Sequence, residues 1–304
     1  MPVVIPPPGF LPISATFVSP ATAFVLGGRN CSADMVCRTG LLRTDDRGLT
    51  WIPVPAPRVT SGGDGGATLA GVRFANTRDG YLFGKGLLST HDGGLHWTRV
   101  PLNGCTWIDA LEIGTGVVHV VARCRRGYTL FTGPYARDAF VPTRVPLSST
   151  PISGIQLVVS RTRAWIAATY QGLVVAARYE HGLWGRWPTA PCRTPMGNGY
   201  PSLNVDPSTG ALVADCYQYA GPPTVTPVAS TNGGATFHRV GPDLVAEARV
   251  ATLDAASGAD VEPRDIEFTN ASQAFAIVDL ARTNSTAMFL TTDAGRTWRR
   301  IAFP

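Results

Sequence analysis

The chain has 304 residues, of which only 15% are charged, and carries 33 glycines and 25 prolines. Its net charge of +5 is mild for this length, comes from arginine with Lys85 as the sole lysine, and forms no basic run with interleaved aromatics, so nucleic acid is excluded as the expected partner. No apolar run reaches the roughly 20 residues of a membrane helix. No long helical period appears either, which points to an all-β chain.

Residues 1–12 read as a Pro-rich arm, in which Val3, Val4 and Ile5 could add an edge strand. Met1 is not followed by the basic-then-apolar order of a signal peptide. From residue 13 onward, short β-branched and aromatic runs alternate with Gly and Pro punctuation, the signature of strands. The first runs lead into Thr44-Asp45-Asp46-Arg47-Gly48-Leu49-Thr50-Trp51, and the next into Thr90-His91-Asp92-Gly93-Gly94-Leu95-His96-Trp97. Weaker copies end on Phe140 and on Trp187, each having lost the Asp and kept the aromatic. The phrase returns as Ser230-Thr231-Asn232-Gly233-Gly234-Ala235-Thr236-Phe237 and closes the chain as Thr291-Thr292-Asp293-Ala294-Gly295-Arg296-Thr297-Trp298.

The phrase is a hairpin turn that carries its own core residue. Asp46, Asp92, Asn232 and Asp293 can fold back onto nearby backbone N–H groups. The Gly two positions on supplies a positive φ, and Trp51, Trp97, Phe237 and Trp298 begin the next strand as apolar anchors. The alternating oxygen ligands and closing Glu of a calcium loop are missing, so no metal is expected. Six anchors, each preceded by two strand-like runs, predict one β-propeller over residues 13–304, built of six four-stranded antiparallel blades. A degenerate seventh blade is the rival, but residues 245–263 hold too few apolar pairs for four strands and are expected as a long loop.

The turn phrase resembles the Asp-box, or BNR repeat, of sialidase-like β-propellers. Residues 15–27 and 71–84 also resemble opening hairpins of blades in the photosystem II stability and assembly factor family. In that register all four phrases are third turns of their blades. Cys31, Cys37, Cys124 and Cys216 fall in second turns and Cys105 and Cys192 in blade links, so all six cysteines lie at the ends away from the phrases. The register pairs Cys31–Cys37, Cys105–Cys124 and Cys192–Cys216, and bridges of this kind imply an extracytoplasmic protein whose targeting segment is absent from this sequence.

The resemblance implies that the functional face is the one away from the Asp-boxes. There the register gathers Arg29, Arg38, Lys85, Trp107, Arg125, Arg126, Tyr170, Arg193, Tyr217, Tyr219 and Arg282, a basic and aromatic mixture suited to binding. The expected function is a non-catalytic binding or assembly scaffold, monomeric and without cofactor, for a protein or surface glycan. The alternative is a diverged sialidase-like glycoside hydrolase. For that reading Asp64 sits where sialidases hold their acid, but the region ahead of the first box has no Arg, and Glu180 beside Tyr179 falls on the wrong face.

Overall fold

The computed structural model describes residues 9–29, 37–57, 60–61, 69–114, 116–143, 152–160, 162–170, 173–192, 199–205, 209–218, 224–239, 261–270, 272–280 and 285–303. These form six antiparallel sheets, and no helix is present among them. The first blade is β1 (Leu11–Phe17), β2 (Ala23–Arg29), β3 (Cys37–Thr44) and β4 (Ile52–Val54), with a short β5 (Thr60–Ser61) also paired to β3. Blade 2 holds β6 (Leu69–Phe74), β7 (Gly80–Gly84), β8 (Gly86–Thr90) and β9 (Thr98–Val100). Blade 3 holds β10 (Cys105–Gly114), β11 (Val117–Cys124), β12 (Gly127–Pro134) and β13 (Val141–Thr143). Blade 4 holds β14 (Gly154–Val159), β15 (Ala164–Thr169), β16 (Leu173–Glu180) and β17 (Leu183–Arg186). Blade 5 holds β18 (Gly199–Val205), β19 (Leu212–Gln218), β20 (Thr224–Ser230) and β21 (His238–Arg239). Blade 6 holds β22 (Val261–Phe268), β23 (Ala274–Leu280), β24 (Ser285–Thr291) and β25 (Arg299–Ile301).

The fold is therefore the six-bladed all-β propeller, with each blade made of consecutive strands. Two boundaries differ from expectation. Strand β1 opens at Leu11, inside the expected arm, because Phe10 and the following residues are buried against the sheet. Strand β22 opens at Val261, so the last three residues of the span 245–263 are strand. Residues 1–8, with Val3-Val4-Ile5, and residues 245–260 lie outside the described residues.

The chain groups into two compact units, Met1–Ile108 with Tyr135–Asp138 and Val250–Pro304, and Asp109–Pro134 with Ala139–Arg249. In the first unit, blade 1 packs on blade 6 through Phe10, Ala15, Leu42, Trp51, Phe275 and Met288. Its other side packs on blade 2, where the Phe24 and Phe74 rings stack 3.6 Å apart. In the second unit, Val121, Leu130, Leu157 and Ile166 join blades 3 and 4, and Trp165, Trp187, Leu203 and Leu212 join blades 4 and 5.

The four full phrases fold alike. The opening hydroxyl donates to the Asp or Asn two residues on, at 2.8 Å for Thr44–Asp46, 2.9 Å for Thr90–Asp92, 2.8 Å for Ser230–Asn232 and 2.8 Å for Thr291–Asp293. The same hydroxyl oxygen accepts the N–H of Gly48, Gly94, Gly234 or Gly295. The carboxylate or amide oxygen then accepts the backbone N–H of Thr50, His96, Thr236 or Thr297. Hydrogen bonds to His96 hold the Asp92 carboxyl at about 2, and the Thr297 hydroxyl and N–H hold Asp293 at about 2, so both are ionised at neutral pH. The sequence signals one positive φ per turn, whereas the structure has two. The residue before the glycine is also left-handed, which glycine meets at Gly93 and Gly233 but Arg47 (φ 63°) and Ala294 (φ 62°) meet at a cost.

Three of these turns lodge against the outer edge of the blade before them. A Cβ on Gly94 would come within 2.5 Å of Val54, and one on Gly234 within 2.8 Å of Trp187; at Gly48 it would come within 3.2 Å of Ile301. The carbonyls there are used as well: Trp187 Nε1–H donates to Gly234 O at 2.8 Å and Trp165 Nε1–H to Gly233 O at 3.2 Å. Blade 4 departs from the pattern. Its β16–β17 connection is a tight hairpin at His181 (φ 51°) and Gly182 (φ 83°), and its anchor Trp187 lies beyond β17, where its N–H donates to Ala176 O.

Asp293→Ala should cost about 1–2 kcal/mol by removing the acceptor for Thr297, and Trp298→Ala about 3–5 kcal/mol by emptying a buried site. Ala294→Gly should instead be neutral or stabilise by up to about 1 kcal/mol, because it relieves the left-handed strain. Urea unfolding of the three variants checks the order, and an Ala294→Gly loss larger than that of Asp293→Ala would contradict it.

Candidate functional site

In every blade the β2-type to β3-type connection lies at the opposite strand end from the repeated turn. The described cysteines lie at or near these ends. Cys192 and Cys216 are bridged with Cα atoms 5.0 Å apart, in the ordinary range for a disulfide. Cys37, Cys105 and Cys124 are disulfide-bonded as well, and no free cysteine exists among the described residues. Cys37 begins β3, Cys105 begins β10 and Cys124 ends β11, while Cys31 lies outside the described residues.

The expected binding residues distribute over the same ends. Arg29 closes β2 directly opposite Arg38, the second residue of β3, and both are exposed. Lys85 is the exposed single residue between the paired Gly84 and Gly86. Arg125 and Arg126 form the exposed tip between Cys124 and Gly127, which pair across the β11–β12 hairpin. Trp107 is half-buried in β10. Tyr170 follows β15 and is 42% exposed. Tyr217 lies in β19 opposite Tyr200 and Val225. Arg193, Tyr219, Arg282 and Asp64 lie outside the described residues.

Blade 3 holds a cluster that the sequence did not reveal. Arg123, two residues before Arg125 on β11, donates to Asp109 Oδ1 at 2.6 Å and stands 5.6 Å over the Tyr128 ring. Burial raises the Asp109 carboxyl above its ordinary value, with Arg123 acting against that shift. The carboxylate thus fixes the base of an arginine-rich hairpin, leaving Arg125 and Arg126 as its forward charges. The run of three arginines around Cys124 is the one signal that the sequence carries for it.

The inner strands of the first unit carry a second polar network. Each has one unpaired residue, at Ile13, Ala70 and Arg264, where the register shifts. Such bulges re-aim the residues that follow. Arg73 in β6 donates to Ser14 Oγ at 3.1 Å and to Ala15 O at 3.3 Å, and its guanidinium lies 3.9 Å from Asp265. Burial raises the Asp265 carboxyl, while Arg73 and hydrogen bonds from Ala15 and Ser14 hold it down. Glu267 lies two residues beyond Asp265 on β22. All three inner strands are tied together here, which is a structural use of these groups.

Of the residues weighed for catalysis, Glu180 and Tyr179 are engaged elsewhere. Glu180 is held by Arg163 at 2.9 Å and Arg178 at 3.1 Å, and Tyr179 packs edge-on against His119 and beside Trp184. His119 is 2% exposed, and burial lowers it to about 4, so it is neutral at pH 7. His91 sits 2.8 Å from Asp79 and 3.5 Å from Asp138, and the Asp79 hydrogen bond raises its pKa. Among the described residues no group of His, Cys, Asp and Glu could hold a metal ion, and no helix is long and apolar enough to cross a membrane.

The sequence matches no family model and no curated protein. Solved structures do match. YCF48 bound to D1 peptide is 14% identical, with 98% of this chain and 84% of that one covered at a TM-score of 0.53. A 6-phosphogluconolactonase-type protein of Bacteroides fragilis is also 14% identical, covering 96% and 85% at 0.54. The β-propeller domain of the Trilobed protease of Pyrococcus furiosus is 7% identical, covering 96% and 83% at 0.51. At these identities the likeness is one of fold.

His119 makes a pH test of the blade 3 and blade 4 packing. Its folded value is depressed, so its contribution is fully present above pH 6.5 and is lost as pH falls towards 4. Wild type should lose up to about 3 kcal/mol across that window from this group, and His119→Phe should show a flatter profile. Equal slopes for the two proteins in urea unfolding would exclude a buried neutral imidazole.

Proposed function

We propose that this protein is a non-catalytic binding scaffold that acts outside the cytoplasm and offers its disulfide-bearing strand ends to a protein partner or a surface glycan. One observation carries the reading: the described cysteines share those ends with Arg29, Arg38, Lys85, Arg125 and Arg126. Bridges at the feet of exposed loops lower the ordering cost of binding, and disulfides persist mainly outside the cytosol. Arginine suits planar carboxylates and other anionic groups better than lysine does. A neighbour of the same fold was solved with a peptide bound, which supports a peptide as the class of partner. The hydroxyl–carboxylate–glycine clamp supports membership of the repeated turns in the Asp-box type, with a role in holding blades rather than in chemistry.

The test is direct binding of acidic peptides and of a glycan array by wild type and by an Arg125→Glu, Arg126→Glu double variant. The double variant should bind its best ligand at least about tenfold more weakly, through lost charge-assisted contacts. Unchanged affinity would remove this hairpin from the binding face. A panel of aryl glycosides, sialosides included, should show no turnover. Turnover abolished by Asp64→Ala would replace the scaffold reading with a diverged sialidase-like hydrolase.

A further inference from the structure

A cleft of about 270 Å³ opens at the repeated-turn ends of blades 1 and 6, lined by Arg47, Leu49, Leu290, Thr292, Thr297 and Arg299. It is smaller than the roughly 300–1,000 Å³ of a pocket for a drug-sized ligand, and suits a single functional group. Its chemistry is one-signed. Two guanidinium groups line it, and among the described residues no carboxylate does.

The neighbouring carboxylates are already committed. Asp45 takes Arg43 and Thr22, Asp46 is closed within its own turn by Thr44, Leu49 and Thr50, and Asp293 is closed by Thr291 and Thr297. Among the described residues neither Arg47 nor Arg299 forms an ion pair, yet Arg299 is drawn to within 3.1 Å of the Arg47 carbonyl. Both arginines line the one cleft, so an anion lodged in it would be attracted by two positive charges.

Arg47 occupies a left-handed turn position, as Ala294 does in blade 6. Arg47 is held at φ 63°, at the turn position where blades 2 and 5 use Gly93 and Gly233. An arginine there costs on the order of 1 kcal/mol that glycine would save. The Thr292 hydroxyl adds a donor at the wall, Leu290 forms an apolar floor, and Leu49 stands 73% exposed at the rim.

We propose that this cleft binds a phosphate or sulfate group, gripped by Arg47 and Arg299 across the junction of the first and last blades. Arginine forks match the oxygens of such groups, and the exposed Leu49 beside them suits the carbon chain of an ester. The site lies at the strand ends opposite the proposed binding face, so the two proposals fail separately.

The experiment is calorimetric titration of the whole chain with inorganic phosphate, inorganic sulfate and n-butyl phosphate, at ionic strength held constant with chloride to cancel general screening. Arg47→Gly and Arg299→Gln are titrated alongside. Arg47→Gly suits the left-handed backbone, so it removes the guanidinium without threatening the fold. Each substitution should weaken phosphate binding about tenfold. Butyl phosphate bound more tightly than inorganic phosphate would identify an ester as the ligand, and the reverse order a free oxyanion. Absence of phosphate and sulfate binding to wild type, or affinities unchanged in both variants, would overturn the proposal.

Discussion

Four of the six blades hang on a clamp of one hydroxyl, one carboxylate or amide, and one glycine. The hydroxyl of Thr44, Thr90, Ser230 or Thr291 donates to the side chain two residues later and accepts the glycine N–H two residues after that. The turn is thereby closed by its own side chains, before any neighbouring strand is in place. The same glycine has no Cβ, and that missing atom is what lets the turn press against Val54 or Trp187 of the blade before it. Local closure and inter-blade packing are thus two consequences of one eight-residue phrase.

That double role explains what was legible in the sequence. Turn chemistry is local, so Asp46, Asp92, Asn232 and Asp293 announce the blades from their own neighbours alone. The anchors follow at fixed spacing, and the blade count follows from the anchors. Blade 4 was legible only as a weak copy, because a tight hairpin at His181 and Gly182 replaces the clamp and moves Trp187 past its strand. The second left-handed residue in each turn was invisible, since arginine and alanine at positions 47 and 294 give no hint of positive φ.

The candidate sites were read less well, for a physical reason. Arg125 and Arg126 are adjacent in sequence and stand together at a hairpin tip. Asp109 and Arg123 are 14 residues apart, and Arg73 meets Ser14 across 59 residues. Such partners are chosen by strand register, and a one-residue shift turns a side chain to the other face of its sheet. Bulges at Ile13, Ala70 and Arg264 make that shift in three inner strands at once. No periodicity in composition records it.

Among the described residues each sheet is built from strands that follow one another in the chain, and blades 1 and 6 meet there through side chains. Phe10 and Phe303, near opposite ends of the described chain, bring their rings within 5.1 Å, and Gln273 reaches the Pro20 carbonyl at 2.8 Å. Among the described strands, the order in which the blades are translated is therefore not fixed by strand pairing. Joining residue 303 to residue 10 by a short peptide and reopening the chain at a blade link would leave all six sheets whole. In evolutionary terms the architecture is open to circular permutation and to gain or loss of whole blades by duplication, with the seam between first and last as the one place where sequence must be tailored to close.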